Sequence, residues 1–322
     1  MRRLLIVLGV LVLLALAVAG GGLYAIGRYN APGPLAELQP VVVPHGTPAE
    51  LAQALSAAGV INGTWAFRLA AALTAHEGQL RAGEFIFPAH GSLFATLTIL
   101  RRGKEVQHRL TIPEGLTAAQ IAEILDRAPA LDGDTPVPAE GAVLPETYSY
   151  VRGTSRSVLL ERGHAAMEKA LAQVWASRDP ALALTRPEDL LTLASIVERE
   201  TSRPEERAHV AAVFLNRLKR GMRLQSDPTT AYAVSGGMTT YDHGLTRADL
   251  ERANPYNTYT IAGLPPGPID SPGLAAMQAV ARPLASDDLY FVADGNGGHV
   301  FAKTLEDHNR NVAHWRALAV KP

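Results

Sequence analysis

Leu4 to Ile26 reads LLIVLGVLVLLALAVAGGGLYAI and carries no charged side chain. As a helix rising about 1.5 Å per residue, the run reaches roughly 34 Å, enough for a hydrocarbon core of about 30 Å. Arg2 and Arg3 precede it. The positive-inside bias then places the N-terminus in the cytoplasm and everything after the run outside. The expectation is a single-pass protein of the cytoplasmic (inner) membrane with an extracytoplasmic, periplasmic body. Tyr24 and Tyr29 fall where interfacial aromatics sit. A cleaved signal peptide is the competing reading, with Ala17-Val18-Ala19 as its A-x-A site. The apolar run continues past that site, which favours an anchor.

With 322 residues, the chain can hold two domains with separate cores. Its 30 basic and 31 acidic side chains nearly cancel, whereas a nucleic-acid binder needs a basic surface to neutralise phosphates. No nucleic-acid partner is expected. There is no cysteine, which excludes disulfides, thiolate catalysis and Cys-based zinc sites.

Residues 1–28 read as a cytoplasmic tip and transmembrane anchor, and 29–40, rich in proline, as a linker. Two similar segments follow. Val41–Val43, Pro44-His45-Gly46, then Thr47 ahead of a helical pattern is matched by Leu110–Ile112, Pro113-Glu114-Gly115, then Leu116 and Thr117 ahead of another. Each reads as strand, Pro-x-Gly turn and Thr-capped helix, a duplicated small α+β unit. Asp132–Ala142, rich in Asp, Gly and Pro, marks a boundary. Helices are expected over Ser155–Ser177, Pro187–Glu200 and Pro204–Arg220, then a loop-rich stretch from Gly221 to Ser271. A helix over Pro272–Ala281, a hairpin turning at Asp294–Gly298 and a helix over Leu305–Val320 complete the pattern.

Pro187–Glu200 is the best-defined segment. Thr185 can cap it, with Pro187 early and Glu188 completing a Thr-x-x-Glu capping box. Leu190–Val197 is apolar nearly all round, so the helix is buried. It delivers Glu198 and Glu200 at its C-terminal end, where the macrodipole disfavours negative charge. Glu198 follows Leu191, Ala194 and Ser195 on one face, and a carboxyl there is hard to ionise. A general acid working near neutral pH has that property. A solvated carboxylate closing a core helix is the plainer alternative. Glu200 lies about 200° round the helix, so the two cannot address one bond. It is expected to be structural, paired with Arg203 or Arg207.

Downstream, Met222–Thr230 and Asn254–Tyr259 set amides, hydroxyls and tyrosines on Pro/Gly frames, which suits a saccharide as well as an ordinary connection. Asp227-Pro228 reads as a turn. His243, His299 and His308 are too scattered for a metal set, and neither a Gly-x-Ser-x-Gly nor a Walker-type loop occurs. No metal and no cofactor is expected.

Leu193-Ala194-Ser195-Ile196-Val197-Glu198-Arg199-Glu200-Thr201 resembles the catalytic motif of the endolytic murein transglycosylases, the MltG or YceG-like family. So do Val213–Leu218, Met222–Thr229, Tyr256–Tyr259, Gly263–Ile269 and Tyr290–Gly295, in the family's order. The resemblance implies an α+β fold: a transmembrane helix, a small LysM-like domain over 41–110, a second repeat-like unit and connection over 111–142, and a mainly helical catalytic domain over 143–322 with a lysozyme-like arrangement. It implies a lytic transglycosylase that cuts between N-acetylmuramic acid and N-acetylglucosamine in peptidoglycan and leaves a 1,6-anhydro end. Glu198 matches the catalytic glutamate, acting as acid and then base. Gln225, Asp227, Thr229, Asn257, Tyr259 and Ser195 are the implied substrate contacts. Glycan strands are the implied ligand, with peptidoglycan synthases in the membrane as further partners. Two alternatives stay open: a non-catalytic wall-binding scaffold, and a hydrolase pairing Glu198 with a second carboxylate such as Asp227.

Overall fold

The computed structural model describes residues 2–238 and 244–319. His243, weighed above as a metal ligand, lies outside the described residues. Helices and strands are mixed, and the chain divides into two compact units, residues 1–108 with 151–153 and residues 109–150 with 154–322.

The first unit begins with α1 (Arg2–Asn30), whose span from Leu5 to Asn30 is long and apolar enough to cross a membrane and is not buried inside the protein. Tyr29 at its end packs edge-on against Phe94, their ring centroids 5.7 Å apart. The following segment is no free linker, because Leu35 is buried in the unit's core. Then come β1 (Gln39–Val43), α2 (Pro48–Ala57), α3 (Thr64–Leu73), β2 (Gly83–Phe87) and α4 (Leu93–Arg102). β1 and β2 pair antiparallel, with Val41 opposite Phe85. Alternation along β1 turns Val41 and Val43 inward while Val42 stays exposed. They meet Leu51, Leu55, Phe67, Leu97 and Leu100 in one core.

The second unit opens with β3 (His108–Thr111), α5 (Ala118–Arg127), β4 (Leu131–Asp132), β5 (Thr147–Tyr150) and β6 (Thr154–Ser155); β3 pairs with β5, and β4 runs parallel to β6. Both Thr-capped starts are present as expected. Thr47 forms a capping box with Glu50, and Thr117 forms one with Gln120. The helical body consists of α6 (Arg156–Ala176), α7 (Pro187–Glu200), α8 (Arg207–Lys219), α9 (Asp227–Ser235), α10 (Arg247–Glu251) and α11 (Leu274–Ala281). β7 (Tyr290–Ala293), β8 (His299–Ala302) and α12 (Leu305–Ala319) follow. β7 and β8 form the expected hairpin, and its turn is tied by Asp294, whose Oδ1 accepts from the Asn296 and Gly298 N–H groups.

Two local expectations are corrected. The capping residue of α7 is Arg186, in extended backbone and without a side-chain cap bond. Pro187 takes the first helical position and holds its predecessor extended, so Thr185 sits one residue too early to form the box. Asp227-Pro228 opens α9 instead of making a turn; a proline in the first helical turn loses no internal hydrogen bond. With α10, this replaces part of the expected loop.

Helix α7 is the centre of the second unit. Leu190, Leu193, Ala194, Ile196 and Val197 are fully buried among Val210, Phe214, Met277 and Val280. Each large side chain there contributes about 1.5–3 kcal/mol. That burial holds the last turn of α7, with its two carboxylates, in place.

Candidate active site

Glu198 reaches into the junction of α7 with the starts of α8 and α11. Its side chain is 5% exposed. Oε1 accepts from Arg207 Nη2 at 3.0 Å and Oε2 from the Gly273 N–H at 2.9 Å. Gly273 precedes α11, so its N–H belongs to a helix N-terminus and favours an anion. A Cβ there would fall 1.9 Å from Glu114 Oε1, so a larger residue would have to displace the half-exposed Glu114 side chain. Glu114 also approaches Arg207, at 3.6 Å. Burial pushes the Glu198 carboxyl above its ordinary range; the Gly273 bond and Arg207 oppose the rise, and the Glu114 charge adds to it.

The neighbouring chain is stitched to the helix. Ser195 Oγ accepts from the Ile269 N–H at 3.0 Å and donates to Thr192 O. Arg199 Nη1 donates to Gly115 O, and the Gly115 N–H to Ser271 O. Between these ties Asp270 is 1% exposed, and both carboxyl oxygens lack a hydrogen-bond partner among the described residues. Burial raises its pKa well above the usual value; Arg199 opposes this, and Glu198 and Glu140 reinforce it. The sequence did not single out Gly273, Glu114 or Asp270, and Arg207, expected at Glu200, is found on Glu198. The Gly273 position, just after a proline and ahead of a helix, was the one visible signal.

Glu200 pairs with neither Arg203 nor Arg207, contrary to expectation. Arg207 is taken by Glu198, and Arg203 Nη2 donates to Asn296 O. Glu200 instead accepts from Ser226 Oγ at 2.5 Å and lines a cavity of about 270 Å³ with Arg217, Gln225, Asp227, Tyr259, Phe291 and His308. Loss of hydration around its carboxyl pushes the pKa up to about 7; the Ser226 bond and Arg217 oppose the rise, and Asp227 adds to it.

The structure therefore divides the expected substrate contacts. Gln225, Asp227 and Tyr259 come together, with the Tyr259 hydroxyl donating to Asp227 Oδ1 at 2.6 Å. Ser195, Thr229 and Asn257 lie behind, at most 1% exposed, with their polar groups committed. Asn257 Nδ2 donates to the carbonyls of Asp249, Leu250 and Arg252, and its Oδ1 accepts from Thr230 Oγ1 and the Tyr259 N–H. Thr229 Oγ1 donates to Ser226 O and accepts from the Thr258 N–H. These residues brace the loops that carry the cavity wall. Glu198 is not among that cavity's lining residues.

A model of the YceG-like family matches residues 41–314. An endolytic murein transglycosylase of Streptococcus pneumoniae is 35% identical over 250 residues, covering 76% of this chain and 44% of that protein. One from Bacillus subtilis is 45% identical over 121 residues, 38% of this chain and 32% of that protein. A YceG-like protein of Listeria monocytogenes, known as a crystal structure, superposes with a TM-score of 0.54 at 29% identity, covering 85% of this chain and 98% of that one. The chain spans less than half the length of the curated relatives it matches.

Proposed function

The chain belongs to the YceG-like family, and on that premise we propose that it is an endolytic lytic transglycosylase of peptidoglycan. It cuts the β-1,4 bond between N-acetylmuramic acid and N-acetylglucosamine. Glu198 gives its proton to the glycosidic oxygen as the bond to the anomeric carbon breaks. The 6-hydroxyl of the muramic sugar closes on that carbon, and its proton passes to the Glu198 carboxylate. The products are a 1,6-anhydro end and a free 4-hydroxyl, with no water consumed.

The observation that carries this reading is the Glu198 carboxyl, pushed by burial towards its protonated form and met by two fixed donors, Arg207 and the Gly273 N–H. Those donors strengthen as the carboxyl becomes negative. They therefore stabilise the state in which the proton has left, the differential binding that catalysis needs. A hydrolase would need a second carboxylate, and the candidate, Asp227, is bonded to Tyr259 in a cavity wall that Glu198 does not share. This favours the single-carboxylate scheme.

We assign residues 1–28 to an inner-membrane anchor with a cytoplasmic N-terminus, 29–40 to a linker fastened to the first unit's core through Leu35, and 41–110 to a LysM-like glycan-binding domain; an antiparallel strand pair flanking two helices supports that assignment. Residues 111–142 connect it to a lysozyme-like catalytic domain over 143–322, which works outside the membrane on strands made by neighbouring synthases. The test is to digest purified sacculi with the wild type and with Glu198→Gln. The wild type should leave anhydro-muramic ends, lighter by one water than hydrolysed ends, and the variant none. Undiminished anhydro ends from Glu198→Gln would remove Glu198 from its role.

A further inference from the structure

We propose that the cavity bounded by Glu200, Gln225, Asp227 and Tyr259 is a subsite for an N-acetylated amino sugar, in which the Glu200 carboxyl donates a hydrogen bond to the acetamido carbonyl. This rests on the reading of the chain as a peptidoglycan enzyme and deepens it. The proposed reaction uses Glu198 and leaves Glu200 without a part.

The cavity is built rather than incidental. Gln225 holds φ at 51°, in the left-handed region that side-chain-bearing residues avoid at a cost of about 1–3 kcal/mol. That conformation is pinned from the facing loop: the Gln225 N–H donates to Thr258 O at 3.2 Å and the Ser226 N–H to Thr258 Oγ1 at 3.0 Å. The same tight turn brings Gln225 and Asp227 to one cavity wall and sets Ser226 Oγ on Glu200. Strain maintained by fixed partners beside a cavity is characteristic of binding sites.

The lining chemistry selects the ligand. Arg217 supplies one positive charge, with Nε and Nη1 committed to the Leu289 and Leu224 carbonyls. Asp227 supplies one negative charge, steadied by the Tyr259 hydroxyl. His308 stacks on Tyr290 and is held towards its neutral form by burial and by Arg217. With Glu200 protonated the cavity is close to neutral overall, which suits an uncharged ligand. Phe291 offers an apolar edge for a methyl group or the C–H face of a ring. Gln225 and Asp227 can pair with hydroxyls and an amide N–H. A protonated carboxyl is the donor that an amide carbonyl needs, and Glu200, with its pKa near 7, holds that proton in mildly acidic solution and gives it up as the pH rises. The groups facing it are Asp227 on α9, Arg217 on α8, Tyr259 on the facing loop and His308 on α12.

The test is titration calorimetry of the full chain in detergent micelles with the β-1,4 tetramer of N-acetylglucosamine, between pH 5.5 and 8.5. The β-1,4 glucose tetramer, which lacks acetamido groups, is the control. Wild-type affinity for the acetylated tetramer should fall about tenfold per pH unit above 7, as the protonated fraction falls, and the glucose tetramer should bind more weakly at low pH. Glu200→Gln, which keeps an N–H donor at every pH, should retain binding and flatten the profile. Glu200→Ala should lose the pH-dependent component. Equal affinity for the two tetramers, or a wild-type pH profile that survives in Glu200→Gln, would overturn the subsite. Should these variants behave as wild type while Glu198→Gln still abolishes anhydro ends, the subsite fails and the activity stands. Should the pH-dependent binding appear in a wild type that makes no anhydro ends, the activity fails and the subsite stands.

Discussion

Glu198 and Glu200 stand two residues apart on one turn of α7, yet their surroundings differ in kind. Glu198 meets a guanidinium and a helix N-terminus. Glu200 meets a serine hydroxyl and a neighbouring carboxylate. Both are pushed towards the protonated form by burial, but Glu198 accepts directly from a guanidinium, whereas Glu200 accepts from a neutral hydroxyl. A turn of about 200° round the helix has separated a carboxyl equipped to release a proton from one equipped to keep it. The lesson is that burial alone does not define an acid, because what receives the charge afterwards matters as much.

The largest expected effect breaks the comparison at Glu198. Glu198→Gln should lower turnover on purified sacculi about 10²–10⁴-fold or more, the range for removing a general acid, as read by the yield of anhydro ends.

Arg207→Met sharpens it by removing the donor that distinguishes Glu198. Breaking a buried pair should cost about 3 kcal/mol in urea unfolding at pH 8, and progressively less as the pH is lowered and protonation of Glu198 removes the unpaired charge. Without the cation the Glu198 pKa rises further, so the alkaline limb of any remaining activity should move to higher pH. A limb that stays in place would mean that Arg207 does not act on Glu198.

Glu200 carries a linkage of the same sign, because its pKa is also raised by burial. Its folded-state pKa of about 7 exceeds that of a carboxyl in the unfolded chain, so the folded state holds the proton more tightly. Stability is then lost as pH rises from about 4.5 to 7, by roughly 3 kcal/mol in all. Glu200→Gln should remove that slope and raise the melting temperature at pH 8 while leaving it nearly unchanged at pH 4.5. The same slope persisting in the variant would assign it to another group.

The smallest effect concerns the frame of the Glu200 side. Tyr259→Phe removes one hydrogen bond to Asp227 and should cost about 1 kcal/mol, measured by the same urea titration.

Much of this was written in the sequence at short range. The apolar run, the two Thr-capped units, the buried character of α7 and the exit of two carboxylates at its end all follow from composition and a 3.6-residue period, which act within a few turns of chain. Part of the loop region misled, because Asp-Pro opens a helix as readily as a turn and a proline overrides a nearby threonine in setting where a helix begins. The identity of each carboxyl's neighbours was another matter. Arg207 and Gly273 approach Glu198, and Ser226, Asp227 and Tyr259 approach Glu200, across sequence separations that no periodicity encodes. Whether a polar side chain in a motif faces a cavity, as Gln225 does, or braces the loop behind it, as Asn257 does, depends on which carbonyls lie within hydrogen-bond reach once the helices have packed. Local patterns placed the two acids on one turn; only the packed chain decided what each of them faces, because electrostatic surroundings are a property of three-dimensional proximity.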